Sequence, residues 1–136
     1  MFANSLIINR FGVYHWEDYS FEDNTKKDKY WVALNCSMDE VEYYAILPTS
    51  QIEKYFNSID VLYISNDESQ YFSKDTILDF KNIKINTKDE IKKVFNNGKL
   101  TYKGLLEESI RNKIEDVIYN ADTLTEEEIN KLLCKQ

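Results

Sequence analysis

His15 is the chain's one histidine. It stands in Val13-Tyr14-His15-Trp16-Glu17-Asp18, where an imidazole beside carboxylates is a candidate general base. Any Ser-His-Asp or Cys-His arrangement would have to use it. No nucleophile motif flanks Cys36 or Cys134, and a lone histidine in an aromatic strand more often packs than reacts. The two cysteines form no CxxC, and one His with two Cys is too few for a typical zinc site. Gly12, Gly98 and Gly104 cannot be written into any glycine-rich phosphate fingerprint. Asp39-Glu40 and Asp67-Glu68 read as turn residues rather than magnesium ligands. No metal and no cofactor is expected.

The segment with the most chemical promise runs from Lys29 to Ser50. It reads as a lysine, a strand, a turn, a second strand and then Leu47-Pro48-Thr49-Ser50. A strand that ends in Thr-Ser sets two hydroxyls and free backbone amides at a sheet edge, where a helix begins. Such a helix start favours an anion such as phosphate. Lys29 reaches the same end only if the two strands pair antiparallel. The plainer reading makes Ser50 a helix cap and Thr49 a turn residue.

Several elements must position these groups. Tyr30 to Cys36 and Glu42 to Leu47 are rich in β-formers and predict a hairpin across Ser37-Met38-Asp39-Glu40. Pro48 ends the second strand because it cannot donate to a ladder. Ser50-Gln51-Ile52-Glu53 has the form of a capping box and predicts a short helix to about Asn57. Further strands are expected near 11–16, 61–65, 76–80 and 83–85. Thr87-Lys88-Asp89-Glu90 and Thr125-Glu126-Glu127-Glu128 are two more capping boxes. The stripe Ile91, Val94, Phe95 follows the first, ended by Gly98; Ile129, Leu132 and Leu133 follow the second. The longest helix is predicted from about Lys103 to Asn120, with Leu105, Leu106, Ile110, Ile114, Val117 and Ile118 on one packing face. The expected fold is α+β. A small half-open barrel or curled antiparallel sheet fills residues 1–86, and helices over 87–136 pack on it as one domain.

With 136 residues, 43% hydrophobic and 14% aromatic, the chain has material for a real core. It has no apolar run near 18 residues, so no membrane span is expected. Met1 to Asn9 lacks a basic region and is too short for a signal peptide. Two isolated thiols leave a disulfide possible but unsupported, so a reducing compartment, and with it the cytoplasm, is the default. The net charge of −7 argues against indiscriminate nucleic-acid binding. The charge is uneven: residues 1–80 carry six basic and fourteen acidic side chains, whereas 81–103 carry seven Lys against Asp89 and Glu90. That basic strip reads as a solvated helix face that could still hold a phosphate.

The order Lys29-Tyr30-Trp31-Val32-Ala33-Leu34-Asn35, then Tyr44-Ala45-Ile46-Leu47-Pro48-Thr49-Ser50, then Val61-Leu62-Tyr63-Ile64 resembles the MazF/PemK-like toxins of toxin–antitoxin systems. Phe72-Ser73-Lys74-Asp75-Thr76-Ile77 is similar to a later segment of that family. The resemblance spans about residues 29–80, with Lys29-Tyr30 where the family opens on Arg-Pro. It implies an SH3-like barrel and metal-independent endoribonuclease activity. Lys29, Thr49 and Ser50 would be catalytic, with Trp31, Ser73 and Lys74 binding RNA. It also implies an antitoxin or other protein partner and a homodimer. A second reading takes the acidic front, with Glu17-Asp18, Glu22-Asp23 and Asp39-Glu40, as an inhibitor surface for a basic nucleic-acid-binding protein.

Overall fold

β1 (Gly12–Ser20) and β2 (Lys26–Ala33) make a long antiparallel hairpin, in register Val13↔Val32 through Trp16↔Lys29. The ladder slips between Trp16 and Tyr19, where Asp18 takes a φ of 55° and its N–H donates to Asp28 Oδ1 at 2.9 Å. β3 (Glu42–Ile46) joins β2 through only two pairs, Val32↔Ile46 and Ala33↔Ala45. β4 (Val61–Ile64) and β5 (Thr76–Asp79) form a separate two-stranded ribbon. β6 (Lys84–Thr87) lies beside β3, and β7 (Leu100–Leu105) lies beside β1. The main sheet therefore runs β6-β3-β2-β1-β7, wholly antiparallel. Among the described residues there are three α-helices: α1 (Lys88–Asn96), α2 (Glu108–Tyr119) and α3 (Glu126–Leu132). This computed structural model describes residues 6–135, so the reading of Met1 to Asn9 falls largely outside them.

The main sheet is buried on both faces. One face sets Val13, Val32 and Ile46 against β4, β5, α2 and α3, with Leu78, Phe80, Ile110, Ile114 and Ile118 between them. The other sets Tyr14, Trp16, Trp31, Tyr43 and Ala45 beneath α1, with Ile91 wholly buried. The α+β class is as expected, but the sheet does not close into a barrel. Its two edges, β6 and β7, end the strand order on opposite sides.

Two of the expected capping boxes form. Thr87 Oγ1 accepts from Glu90 N–H at 3.2 Å, and Glu90 Oε1 accepts from Thr87 N–H at 2.9 Å. Thr125 and Glu128 repeat the pattern at α3. Thr87→Ala should lower unfolding free energy by about 1 kcal/mol. Urea denaturation at unchanged m-value would show it, and an unmoved midpoint would mean that the strand β6, not the cap, fixes the start of α1.

Four expectations need correction. The Ser50 box does not form: Ile52–Tyr55 is a single 3-10 turn whose N-cap is Gln51, with no side-chain cap. Thr49 Oγ1 accepts from Gln51 N–H at 3.2 Å, the local bond of a turn residue. Second, the helix expected from Lys103 begins at Glu108, because Leu100–Leu105 pairs with β1. Gly104 sits there at φ 141°, and a Cβ on it would lie 2.2 Å from the Tyr71 hydroxyl oxygen. The rear of the chain is therefore not all helical, and Leu105 is exposed. Third, Cys36 and Cys134 are not isolated thiols but one disulfide across 98 residues. Fourth, the basic strip is mostly solvated but is not one helix face: Lys84 lies in β6, Lys88, Lys92 and Lys93 in α1 and Lys103 in β7, and Lys81, Lys88 and Lys99 pair with Asp79, Asp39 and Asp18. Among the described residues no helix is long and apolar enough to cross a membrane.

Candidate functional site

The short β2–β3 pairing creates the site. Beyond Ile46 the chain leaves β2: Pro48 is buried, and Thr49 is drawn to the other sheet. Thr49 N–H donates to Ile77 O at 3.0 Å, and Ile77 N–H donates to Thr49 O at 2.8 Å. The half of β2 that holds Lys26–Tyr30 thus keeps β1 on one side and has no β3 residue opposite it on the other. A groove opens there, walled by β2, by Pro48-Thr49-Ser50 and by the β4–β5 loop.

That loop is held at several points. Asp75 accepts from the Tyr63 hydroxyl at 2.6 Å and from Asn66 N–H at 2.8 Å. These two donors hold the Asp75 carboxyl below its ordinary range. Its folded pKa is depressed, so its support for the loop is complete above about pH 4 and is lost as pH falls through the lowered value. At the loop's other end Gln70 N–H donates to Glu107 Oε2 at 2.8 Å, and the Tyr71 hydroxyl donates to Leu105 O at 2.9 Å.

The part of the groove against this loop is a cavity of about 390 Å³, and Lys29, Thr49, Ser50, Ser73 and Lys74 all line it. Lys29 is half-buried, and burial followed by repulsion from Lys27 pulls its ammonium below the usual lysine range. Thr49 Oγ1 accepts one hydrogen bond and keeps its own proton to donate. Ser50, Ser73 and Lys74 are exposed. Tyr30 stands at the floor, edge-on to Phe72 with ring centres 6.0 Å apart. Asp28, which accepts from the Asp18 N–H, also lines the hollow, so two ammoniums face one carboxylate there; with the hydroxyls they suit a tetrahedral oxyanion, by charge and by hydrogen-bond donation.

Trp31 does not belong to this group. It is fully buried on the opposite face, edge-on to Tyr14 with ring centres 5.7 Å apart. Its Nε1–H donates to Asn86 Oδ1 at 3.0 Å. No face of its ring is free for a base, so its role is in the core. His15 packs edge-on against Tyr30, centres 5.8 Å apart, and lines neither part of the groove. Among the described residues, no three His, Cys, Asp or Glu side chains converge as metal ligands would.

No protein-family model matches the chain, and no curated protein matches it.

A second hollow of about 550 Å³ continues the groove past Lys29, with Lys27, Lys84, Phe21 and Gln51 on its walls and Thr49 and Ser50 shared. Sequence reasoning missed Lys27 and Lys84 as site residues. Lys84 lay within the basic strip, but nothing local ties it to Lys29; only the β2–β3–β6 strand order carries it there.

Proposed function

We propose that the protein is a toxin-like endoribonuclease of the MazF/PemK kind, cutting RNA by transesterification. The observation that supports this most is the gathering of Lys29, Thr49, Ser50, Ser73 and Lys74 around one hollow. In this reaction an RNA 2′-hydroxyl attacks the adjacent phosphorus and expels the 5′-oxygen of the next nucleotide. A 2′,3′-cyclic phosphate and a 5′-hydroxyl result. Negative charge builds on the non-bridging oxygens, and the Lys29 ammonium would stabilise that charge. Its lowered pKa makes it a readier proton donor to the departing 5′-oxygen. The proton of the 2′-hydroxyl passes to solvent. Thr49 and Ser50 orient the phosphate through their hydroxyls.

The reading brings with it a cytoplasmic location, an antitoxin partner and a homodimer. In a reducing cytoplasm the exposed Cys36–Cys134 bond would be open to thiols.

The test is cleavage of a long mixed-sequence RNA in excess EDTA. Discrete fragments with cyclic-phosphate ends are expected from the wild type. Lys29→Ala should cut about 10²–10³-fold more slowly, as loss of one such charge contact does, with its thermal transition kept. Intact RNA at high protein concentration would overturn the reading. The acidic front would then be the surface to test against basic partners.

A further inference from the structure

Lys27, Lys29 and Lys84 meet in the larger hollow from two strands that are not neighbours in the sheet, β2 and β6. The chain around them is acidic overall, at −7. Among the described residues Lys81, Lys88, Lys99 and Lys113 each pair with a carboxylate, whereas none of these three does. Lys29 and Lys84 are also half-buried. Like charges brought together in a partly dry hollow repel, and an anion that enters relieves the repulsion. Thr49, Ser50 and Gln51 supply neutral donors on the facing wall. Glu22 and Asp23 share the rim on the β1–β2 turn, and Asp23 is already engaged by the Thr25 N–H and hydroxyl at 3.0 and 2.6 Å. These two carboxylates repel a long polyanion laid over the turn, so the hollow suits a compact anion or a strand that enters from the Thr49 side.

We propose that this hollow is a binding site for linked phosphates, held by Lys27, Lys29 and Lys84. The phosphates are either neighbours of the reacting group in a nucleic-acid strand or a free oligophosphate. The strand form rests on the cleavage reading, because the two hollows share Lys29, Thr49 and Ser50; the oligophosphate form does not.

The experiment is calorimetric titration with sodium tripolyphosphate at low salt. Wild type should bind. Lys27→Ala/Lys84→Ala should bind at least tenfold more weakly, while Lys92→Ala/Lys93→Ala, with the same charge change on exposed α1 positions, should bind as wild type does. No binding by wild type, or equal loss in both variants, overturns the site. Were the Lys27/Lys84 variant to unfold, amide shifts in the wild type on adding tripolyphosphate would decide: movement at 27–29, 49–51 and 84 supports the site, and movement elsewhere overturns it. A ten-nucleotide single-stranded DNA, which lacks the attacking hydroxyl, separates the two sources. If its phosphates use the site, the slope of log affinity against log salt should fall by about 1.4 in the Lys27/Lys84 variant. An unchanged slope beside lost tripolyphosphate binding assigns the site to a free oligophosphate. RNA cleavage without tripolyphosphate binding removes this site and keeps the cleavage reading; binding without cleavage does the reverse.

Discussion

Reducing the Cys36–Cys134 bond should destabilise the protein by about 4–5 kcal/mol, the loop-closure value for a ring near 100 residues. The bond ties the β2–β3 connection to the tail just beyond α3, across 98 residues. It therefore closes every element from β3 to α3 into one covalent loop, leaving β1 and β2 outside it, and the unfolded chain loses much of its freedom. The native state loses little when the bond opens, because α3 is also held by Leu132 in the core and by Asp60. The Asp60 carboxylate accepts from the N–H groups of Asp122 and Thr123 and from the Thr123 hydroxyl. The reduced protein should still fold, with a lower urea midpoint. Both Cys are exposed, so dithiothreitol reaches the bond without prior unfolding. Equal midpoints with and without reductant, in protein shown by thiol titration to change state, would refute this.

Trp31→Ala should cost about 3–5 kcal/mol, as large aromatic truncations in a core do. The ring fills the centre of the α1-side core, against Tyr14 and Trp16 at 5.7 and 5.8 Å between centres. Its loss also takes from buried Asn86 the closer of two donors; the Tyr19 hydroxyl, at 3.4 Å, would remain. Trp31→Phe keeps most of the volume and removes the N–H, so its cost should be about 1–3 kcal/mol, the penalty for a buried acceptor left short of a partner. The pair of variants separates a core role from a base-stacking one. In the core role, stability falls in the order Phe then Ala while RNA affinity of the folded protein holds. Stability within about 0.5 kcal/mol of wild type with affinity lost would return Trp31 to the groove.

Much of the fold could be read locally because its signals are local. Thr87 and Thr125 announce α1 and α3 through side chains that bond within four residues. Ser50-Gln51-Ile52-Glu53 offers the same letters and fails, because the two backbone bonds between Thr49 and Ile77 fix the entry to that segment from outside. β7 was missed for a related reason. Leu100 to Leu105 continues smoothly into a helical stripe, and only β1, some ninety residues earlier, makes it a strand. Trp31 misled because a strand buried on both faces shows no polar alternation, so its period does not reveal which side chains are free. For the groove, Lys29, Thr49 and Ser50 were legible as residue types near a strand end. Lys84 was not, since its place depends on strand order rather than on spacing.

The pairing of β1 with β7 also governs how the protein can be made. β1 ends at Ser20, and its second neighbour begins at Leu100. At synthesis rates of about 5–20 residues per second, one edge of the β1–β2 hairpin waits roughly 4–16 s for its partner strand. During that interval Tyr14 and Trp16 lie beside unpaired backbone groups, which is the arrangement that invites joining to another nascent chain. Yield on expression should therefore depend on translation speed and on chaperone supply more than the finished protein's stability would suggest.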